Sequence, residues 1–313
     1  MKKTVSEPTL VIITGPTAVG KTQVSVEIAR RLGTGIISAD ARQFYRELRI
    51  GTAPPGPELL ARVPHHFVGH LSIFDYYNVS MFEQQALKVL QGIFLQSDHA
   101  VVTGGSGLYL DTLCQGIGEL PDADPAIRAY VQGYYRERGL EGLRSWLKRI
   151  DPVYYEKVDL ANPNRMIRGI EVYLSTGLLY SELRRHQPIR RNFRIRRLVL
   201  NRDRAELFRR INERVDEMVR LGLVEEALAF FPHRELNALN TVGYKELFNW
   251  LSNHYPLHEA LEKIRTNSRR YAKRQLTWFK RYPDAAWFHP DDLEGMMGFI
   301  TNGKPAIPPS GSP

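Results

Sequence analysis

The chain has 313 residues, 43% apolar and 25% charged, with 43 basic and 34 acidic side chains and a net charge of +9; that length suits about two domains at roughly 150 residues each, with ample chain for a core. A lone cysteine, Cys114, excludes a disulfide framework and any zinc cluster built on several thiolates. The longest early apolar run, residues 10–13, is far short of the roughly 20 residues that span a bilayer, and no apolar stretch follows Lys2 and Lys3 to make a secretory signal, so a soluble, cytoplasmic protein with no membrane contact is expected.

Residues 10–14 (LVIIT) form a short β-branched run that stops at glycine and proline, as a buried parallel strand does. GPTAVGKT (15–22) follows and fits G-x-x-x-x-G-K-[ST], with a strand before it and a helix after it. Gly15 and Gly20 permit the tight turn that aims backbone N–H groups at one anion. Lys21 supplies a point charge, the following helix adds its N-terminal partial charge, and Thr22 can hold Mg²⁺. A diphosphate or triphosphate is the expected ligand of this P-loop. Residues 23–32 place Val24, Ile28, Ala29 and Leu32 at the spacing of an amphipathic helix.

Residues 35–39 (GIISA) read as a second strand ending at Asp40, and residues 100–103 (AVVT) as a third, stopped by Gly104 and Gly105. P-loop motors and GTPases usually carry an acid at the end of a second core strand; the third strand here ends in TGGSG without one. Asp40 is the available acid, and strand carboxyl ends are where open α/β sheets put their ligands, so it should face the P-loop. There it could take a proton from a nucleophile or hold metal-bound water; a plain helix N-cap is the alternative. Ser106 offers a hydroxyl on the same rim, or simple turn chemistry among glycines.

From residue 121 the texture changes. Residues 121–183 show short helical patterns with aromatics and no convincing strand, and residues 121–200 hold 16 basic and 9 acidic side chains against 10 and 10 in residues 1–120. Residues 184–197 (RRHQPIRRNFRIRR) carry seven arginines, including Arg190, Arg191 and Arg194, a density that favours forked phosphate contacts over a merely solvated face. Residues 196–201 return to the sheet, and Ile211, Val215, Met218 and Val219 keep one apolar helical stripe. Residues 269–281 (RRYAKRQLTWFKR) interleave six basic residues with aromatics, which suits stacking on bases while phosphates are neutralised. Together these features predict an α/β fold: a P-loop parallel sheet with helices on both faces (residues 1–120 and 196–300), a basic all-helical insertion at 121–195, and a disordered tail over 301–313. They describe group transfer between a diphosphate and an acceptor. The acceptor is a small metabolite, as in a kinase, or a nucleic acid, and the basic insertion favours the nucleic acid.

Over most of residues 9–290 the chain resembles the tRNA dimethylallyltransferases of bacterial type. The resemblance rests on GPTAVGKT (15–22), SADARQFYRELRIGTAPP (38–55), VPHHFVGHL (63–71), TGGSGLYL (103–110), NPNRMIRGIEVYLSTG (162–177), RAELFRRINERVDEMVRLGLVEE (204–226), NTVGYKEL (240–247) and RRYAKRQLTWFKR (269–281). It implies transfer of a dimethylallyl group from dimethylallyl diphosphate, with Mg²⁺ and without ATP, to N6 of the adenosine just 3′ of the anticodon of tRNA. It makes Asp40 the general base, Ser106, Lys21 and Arg214 further catalytic groups, and Gly15, Pro16, Thr17, Ala18, Val19, Gly20, Lys21, Thr22, Arg210 and Arg214 the diphosphate site. The metal would sit at Thr22, with substrate phosphates and Asp40 through water. The tRNA anticodon stem-loop would meet Asp40, Ala41, Arg42, Gln43, Ser106, Arg128, Asn164, Arg165, Met166, Ile167, Arg168, Tyr244, Lys245, Lys273, Arg274, Gln275 and Lys280, with Gln43 pairing bidentately with the adenine edge. Ion pairing of Arg165 and Arg168 with Glu171, and core packing of Tyr244, are the plainer alternatives. A monomer is expected. Pro54 stands where many members have lysine, Ala41 where serine is usual, Ser106 where threonine is usual, and Leu71-Ser72-Ile73 where Leu-Asp-Pro is common. An enzyme that alkylates free AMP and an RNA-binding switch are the competing readings.

Overall fold

The computed structural model describes residues 7–116, 124–183 and 189–303. β1 (Thr9–Thr14) is buried along its whole length, as expected of a β-branched run with helices on both sides. It lies inside a sheet of six parallel strands in the order β3-β2-β4-β1-β5-β6. The others are β2 (Ile36–Ser38), β3 (His65–His66), β4 (His99–Gly104), β5 (Arg194–Leu200) and β6 (Ala285–Phe288). The helices in chain order are α1 (Lys21–Leu32), α2 (Pro57–Arg62), α3 (Val79–Phe94), α4 (Gly107–Gln115), α5 (Pro125–Ile150), α6 (Pro152–Tyr155), α7 (Pro163–Thr176), α8 (Tyr180–Leu183), α9 (Arg204–Arg220), α10 (Leu223–Phe230), α11 (Tyr244–Leu251), α12 (Leu257–Phe279) and α13 (Leu293–Asn302).

Alternation along β1 builds two cores. Val11 and Ile13 pack with Val26 and Ile28 of α1, Leu207 of α9 and Met296 of α13. Leu10 and Ile12 pack on the other face with Phe82 of α3 and Leu113 of α4. A third core joins Tyr45 and Leu48 to α10, α11 and α12 through Leu223, Tyr244, Leu247 and Ile264. The sheet reverses direction at its middle: the chain leaves β1 toward β2 on one side, and leaves β4 toward β5 on the other. The crevice between the carboxyl ends of β1 and β4 is therefore the switch point where such sheets bind ligands.

Two compact units result, one of residues 1–114 and 191–313 and one of residues 115–190. The second is helical, with no strand among its described residues. Its core is Val131, Leu143, Leu147, Tyr154, Met166 and Ile170, and α5 breaks at Gly139, whose φ of 61° no other residue type adopts easily. Buried Asp151 caps α6 by accepting from Tyr154 N (2.9 Å) and accepts from Ser181 N (2.8 Å), joining α6 to α8. The unit's two ends meet: Ile189 N donates to Gln115 O at 2.8 Å.

The structure differs from the sequence reading at several boundaries. The insertion was expected over 121–195, but β5 begins at Arg194 and the helical unit covers 115–190. Residues 301–302, expected in a disordered tail, close α13, and the rest of that tail from 304 lies outside the described residues. Edge strands β3 and β6, two and four residues long, escape the sequence because such short runs carry no periodic signal. Two of the seven arginines in the run, Arg191 and Arg197, are structural. Arg191 pairs with Glu83 and donates to Leu113 O (3.0 Å) and Thr112 O (3.0 Å). Arg197, 8% exposed, pairs with Asp284 and lies over the Tyr282 ring. Arg190 and Arg194 are exposed, and residues 184–188 lie outside the described part.

Gly104 ends β4 opposite Thr14, and a Cβ there would overlap the Ala39 backbone of the neighbouring strand end. Both partners are main chain in a fixed sheet, so neither can give way. Gly104→Ala should lower stability by about 1–3 kcal/mol, read as an earlier urea midpoint; an unchanged midpoint would show that the strand ends can part.

Candidate active site at the carboxyl edge of the sheet

The P-loop leaves β1 at Gly15, where a side chain would collide with Leu200 O, and turns into α1 at Gly20, φ 112°. Ala18 also holds a positive φ, 63°, a conformation unusual outside glycine that neighbours must maintain. They do so residue by residue. Gln275 Oε1 accepts from Thr17 N (2.8 Å), Arg214 Nη1 donates to Thr17 Oγ1 (3.3 Å), Arg210 Nε to Ala18 O (2.9 Å) and Arg202 Nε to Val19 O (3.0 Å). Lys21 Nζ folds back onto Gly15 O (3.0 Å) and Pro16 O (2.9 Å).

Asp40 follows β2 and opens a turn in which its Oδ1 accepts from Arg42 N (3.2 Å) and its carbonyl from Gln43 N (3.0 Å). Ser106 Oγ accepts from Ala41 N (3.1 Å), so the loop after β4 is tied to the Asp40 turn. Arg42 reaches the carbonyls of Asn237 (2.6 Å), Ala238 (3.2 Å) and Asn240 (3.2 Å). Residues 49–53 form the facing wall, and Glu226 of α10 pins them. Its carboxylate accepts from the backbone N of Arg49 (2.9 Å), Ile50 (2.9 Å) and Gly51 (2.9 Å) and from Tyr244 Oη (2.5 Å). Gly51 lies against the Tyr244 ring, leaving no room for a side chain.

These walls enclose a cavity of about 830 Å³ lined by Lys21, Thr22, Asp40, Gln43, Ser106, Arg210, Arg214, Lys245, Tyr271 and Arg274 among others. A recess of about 30 Å³ that shares Thr22 and Asp40 with it is lined also by Ser38 and Thr103, among others. Loss of solvent drives the Lys21 ammonium down to about 8, with Asp40 opposing and the Arg214 charge assisting. Arg214 is pushed down by the same burial, again against the pull of Asp40. Two half-buried cations thus line one cavity and favour an anion between them.

Residues 43–282 match the IPP transferase family. The chain belongs to that family. It is 49% identical to tRNA dimethylallyltransferase 2 of Parabacteroides distasonis over 93% of this chain and 98% of that protein, and 47% identical to tRNA dimethylallyltransferase 1 of Bacteroides fragilis over 93% and 97%. The crystal structure of the tRNA isopentenylpyrophosphate transferase of Bacillus halodurans superposes with a TM-score of 0.68 at 33% identity, covering 94% of this chain and 95% of that one. A eukaryotic dimethylallyltransferase acting on tRNA shares the fold with a TM-score of 0.74 at 24% identity, covering 94% of this chain and 76% of its own.

In this IPP transferase, Lys21, Thr22, Asp40, Ala41, Arg42, Gln43, Ser106, Arg210, Arg214, Lys245, Arg274 and Gln275 come together around one cavity. Lys273 and Lys280 are exposed on and just after α12. In the helical unit, Asn164 and Arg165 are exposed on α7, whereas Arg128 forks onto Glu171 (2.9 and 3.2 Å) and Arg168 lies 3.9 Å from it. Four residues expected to touch tRNA are buried instead: Met166 and Ile167 in the helical core, Tyr244 at 0% exposure, and Gln275 at 5%. Their apolar or already bonded side chains pack rather than project. The Gln43 amide nitrogen is held by Thr52 O (3.3 Å) and Ala53 O (3.1 Å), so it presents its oxygen, and bidentate pairing with adenine would cost one of those bonds. Glu226 and Arg202 carry no signal in the sequence, and Tyr271 stands out there only among the aromatics of residues 269–281. Ser268, Tyr271 and Gln275 recur at i, i+3 and i+7 on one helix face.

An anion needs the charged form of Lys21, and that form is lost as pH rises through its lowered value of about 8. Affinity for an alkyl diphosphate, whose own charge is constant there, should weaken above pH 8 by up to about tenfold per unit, and Lys21→Arg should abolish the trend. Calorimetric affinities that stay flat from pH 7.5 to 9.5 in the unaltered protein would contradict this.

Proposed function

We propose that this chain transfers the dimethylallyl group of dimethylallyl diphosphate to N6 of the adenosine immediately 3′ of the anticodon in tRNA, acting in the cytoplasm as a monomer. The observation that carries the reading is the pairing of the half-buried Lys21 and Arg214 cations with Asp40 around one cavity. As the allylic C–O bond breaks, negative charge grows on the departing diphosphate. Lys21, Arg214 and the P-loop amides stabilise it most in the transition state. The N6 nitrogen forms the new C–N bond, and Asp40 takes the proton it releases. Ser106 holds the Asp40 turn through Ala41 N.

Exposed Lys245, Lys273, Arg274 and Lys280 border or flank the cavity, which suits phosphates of an RNA whose target base is turned out of its stack. The names of the relatives support the same acceptor. The donor set also fits Mg²⁺. The Thr22 hydroxyl and Asp40 carboxylate are hard oxygens around the small recess, and no cluster of three or more His, Cys, Asp or Glu occurs among the described residues. Magnesium is commonly held by one or two carboxylates, substrate phosphates and water, and when bound would neutralise diphosphate charge.

Dimethylallyl diphosphate labelled in its allyl carbons, offered with unmodified tRNA or AMP, with and without Mg²⁺, tests this directly. Label should enter tRNA only, and only with magnesium; label in AMP or in neither acceptor would overturn the assignment. Asp40→Ala should cut turnover at least about a hundredfold while tRNA binds normally, and Lys21→Ala should raise the KM for the donor. Turnover indifferent to Asp40 would remove it from the proton transfer.

A further inference from the structure

Gln275 lies in the most basic part of α12, between exposed Arg274 and a helix turn ending in Lys280, yet it is 5% exposed and makes no use of that surface. Its amide fills the crevice between the carboxyl ends of β1 and β4. Oε1 accepts from Thr17 N of the P-loop at 2.8 Å, and Nε2 donates to Gly105 O of the loop after β4 at 2.9 Å. We propose that Gln275 is a positioning residue for the transfer: the amide sets the spacing between the diphosphate cradle and the Asp40 base.

Two chains of contacts run outward from it. On one side Thr17, held through its N–H by Gln275, is held through its hydroxyl by Arg214 (3.3 Å). On the other, Gly105 precedes Ser106, whose Oγ accepts from Ala41 N beside Asp40 (3.1 Å). The leaving-group half and the proton-accepting half of the site therefore share one planar group. An amide of this length supplies an acceptor and a donor at the two ends: an ionised carboxylate lacks the donor, and a thioether offers no donor and only a weak acceptor. The surrounding sequence is shaped to it, because a Cβ on Gly105 would strike Nε2, and one on Gly107 would strike the Trp278 ring of the same helix. α12 therefore carries exposed cations outside and a two-ended clamp inside, so that its placement governs both loops. A buried bond whose partner is left unsatisfied costs enough to move a rate, because reacting groups displaced by about an ångström lose roughly a hundredfold.

The inference rests on the proposed transfer reaction and is tested in the full chain with Gln275→Met and Gln275→Glu. Both should lower kcat about ten- to hundredfold while the Kd for tRNA, measured by filter binding, stays within about twofold; the urea midpoint should fall, because buried partners lose their bonds, with the chain still folded under assay conditions. Gly105→Ala, which displaces the amide without altering it, should lower kcat in the Gln275 background and cost little more in a Gln275→Ala background, the non-additivity of two groups in contact. A Kd for tRNA that rises more than tenfold with kcat intact would make Gln275 a tRNA contact and overturn the proposal, as would a Gly105→Ala effect of equal size in both backgrounds. If Gln275→Met does not fold, Gln275→Glu and the Gly105 cycle decide. A wild-type chain that transfers no label defeats the functional reading instead. The clamp is then judged by alkyl diphosphate affinity, which should still fall in both Gln275 variants and would refute the clamp if unchanged.

Discussion

Everything at the edge of this sheet answers to one electrostatic demand: Lys21 and Arg214, both half-buried, line one cavity with a carboxylate, Asp40, acting on both. Charges withdrawn from water are costly, and the protein relieves this partly by loosening the Lys21 proton, mainly through burial with the Arg214 charge a smaller contributor, and partly by turning its ammonium onto the Gly15 and Pro16 carbonyls. Neither measure removes the imbalance. A ligand bringing two or more negative charges does. Four long side chains from α12, α9 and the turn before α9 hold Thr17, Ala18 and Val19 in place, so little reorganisation is left for the moment of reaction.

Much of this could be read from the residues. The P-loop pattern, the strand before it and the helix after it carry their own physics: glycines where the backbone must pass other main chain, a lysine where charge is needed. The position of Asp40 followed from the rule that parallel strands offer their carboxyl ends. What could not be read was the inward life of charged and polar residues. Arg191 and Arg197 sit in an arginine run that looks like a nucleic-acid surface, but each finds a carboxylate far along the chain, Glu83 and Asp284. Gln275 sits in a basic, aromatic segment and faces the other way. Composition records how many cations a segment holds, while burial depends on partners 80 or more residues distant, which no local pattern encodes.

Glu226 shows the same limit from another side. A carboxylate collecting three consecutive backbone N–H groups resembles an anion bound in a backbone nest, with the anion supplied by the protein itself. It fixes residues 49–53, and they in turn orient Gln43 through Thr52 O and Ala53 O. Pro54, which stands at the end of this pinned segment, can bring no charge to the cavity it lines. The cationic lining there comes from Lys21, Arg42, Arg210, Arg214, Lys245 and Arg274 instead.

The hydrogen bond from Ile189 to Gln115 means that the helical unit departs from and returns to nearly one point. To the sheet, then, residues 115–190 are equivalent to a short turn between α4 and β5. Such a graft leaves strand order untouched whatever its length, because closing the excursion is accomplished by the unit's own core around Leu147 and Ile170 and not by the sheet. The catalytic layer and the helical module can accordingly drift at different speeds over evolutionary time, one constrained by chemistry at a fixed crevice and the other free to be reshaped, enlarged or exchanged as its RNA partners change.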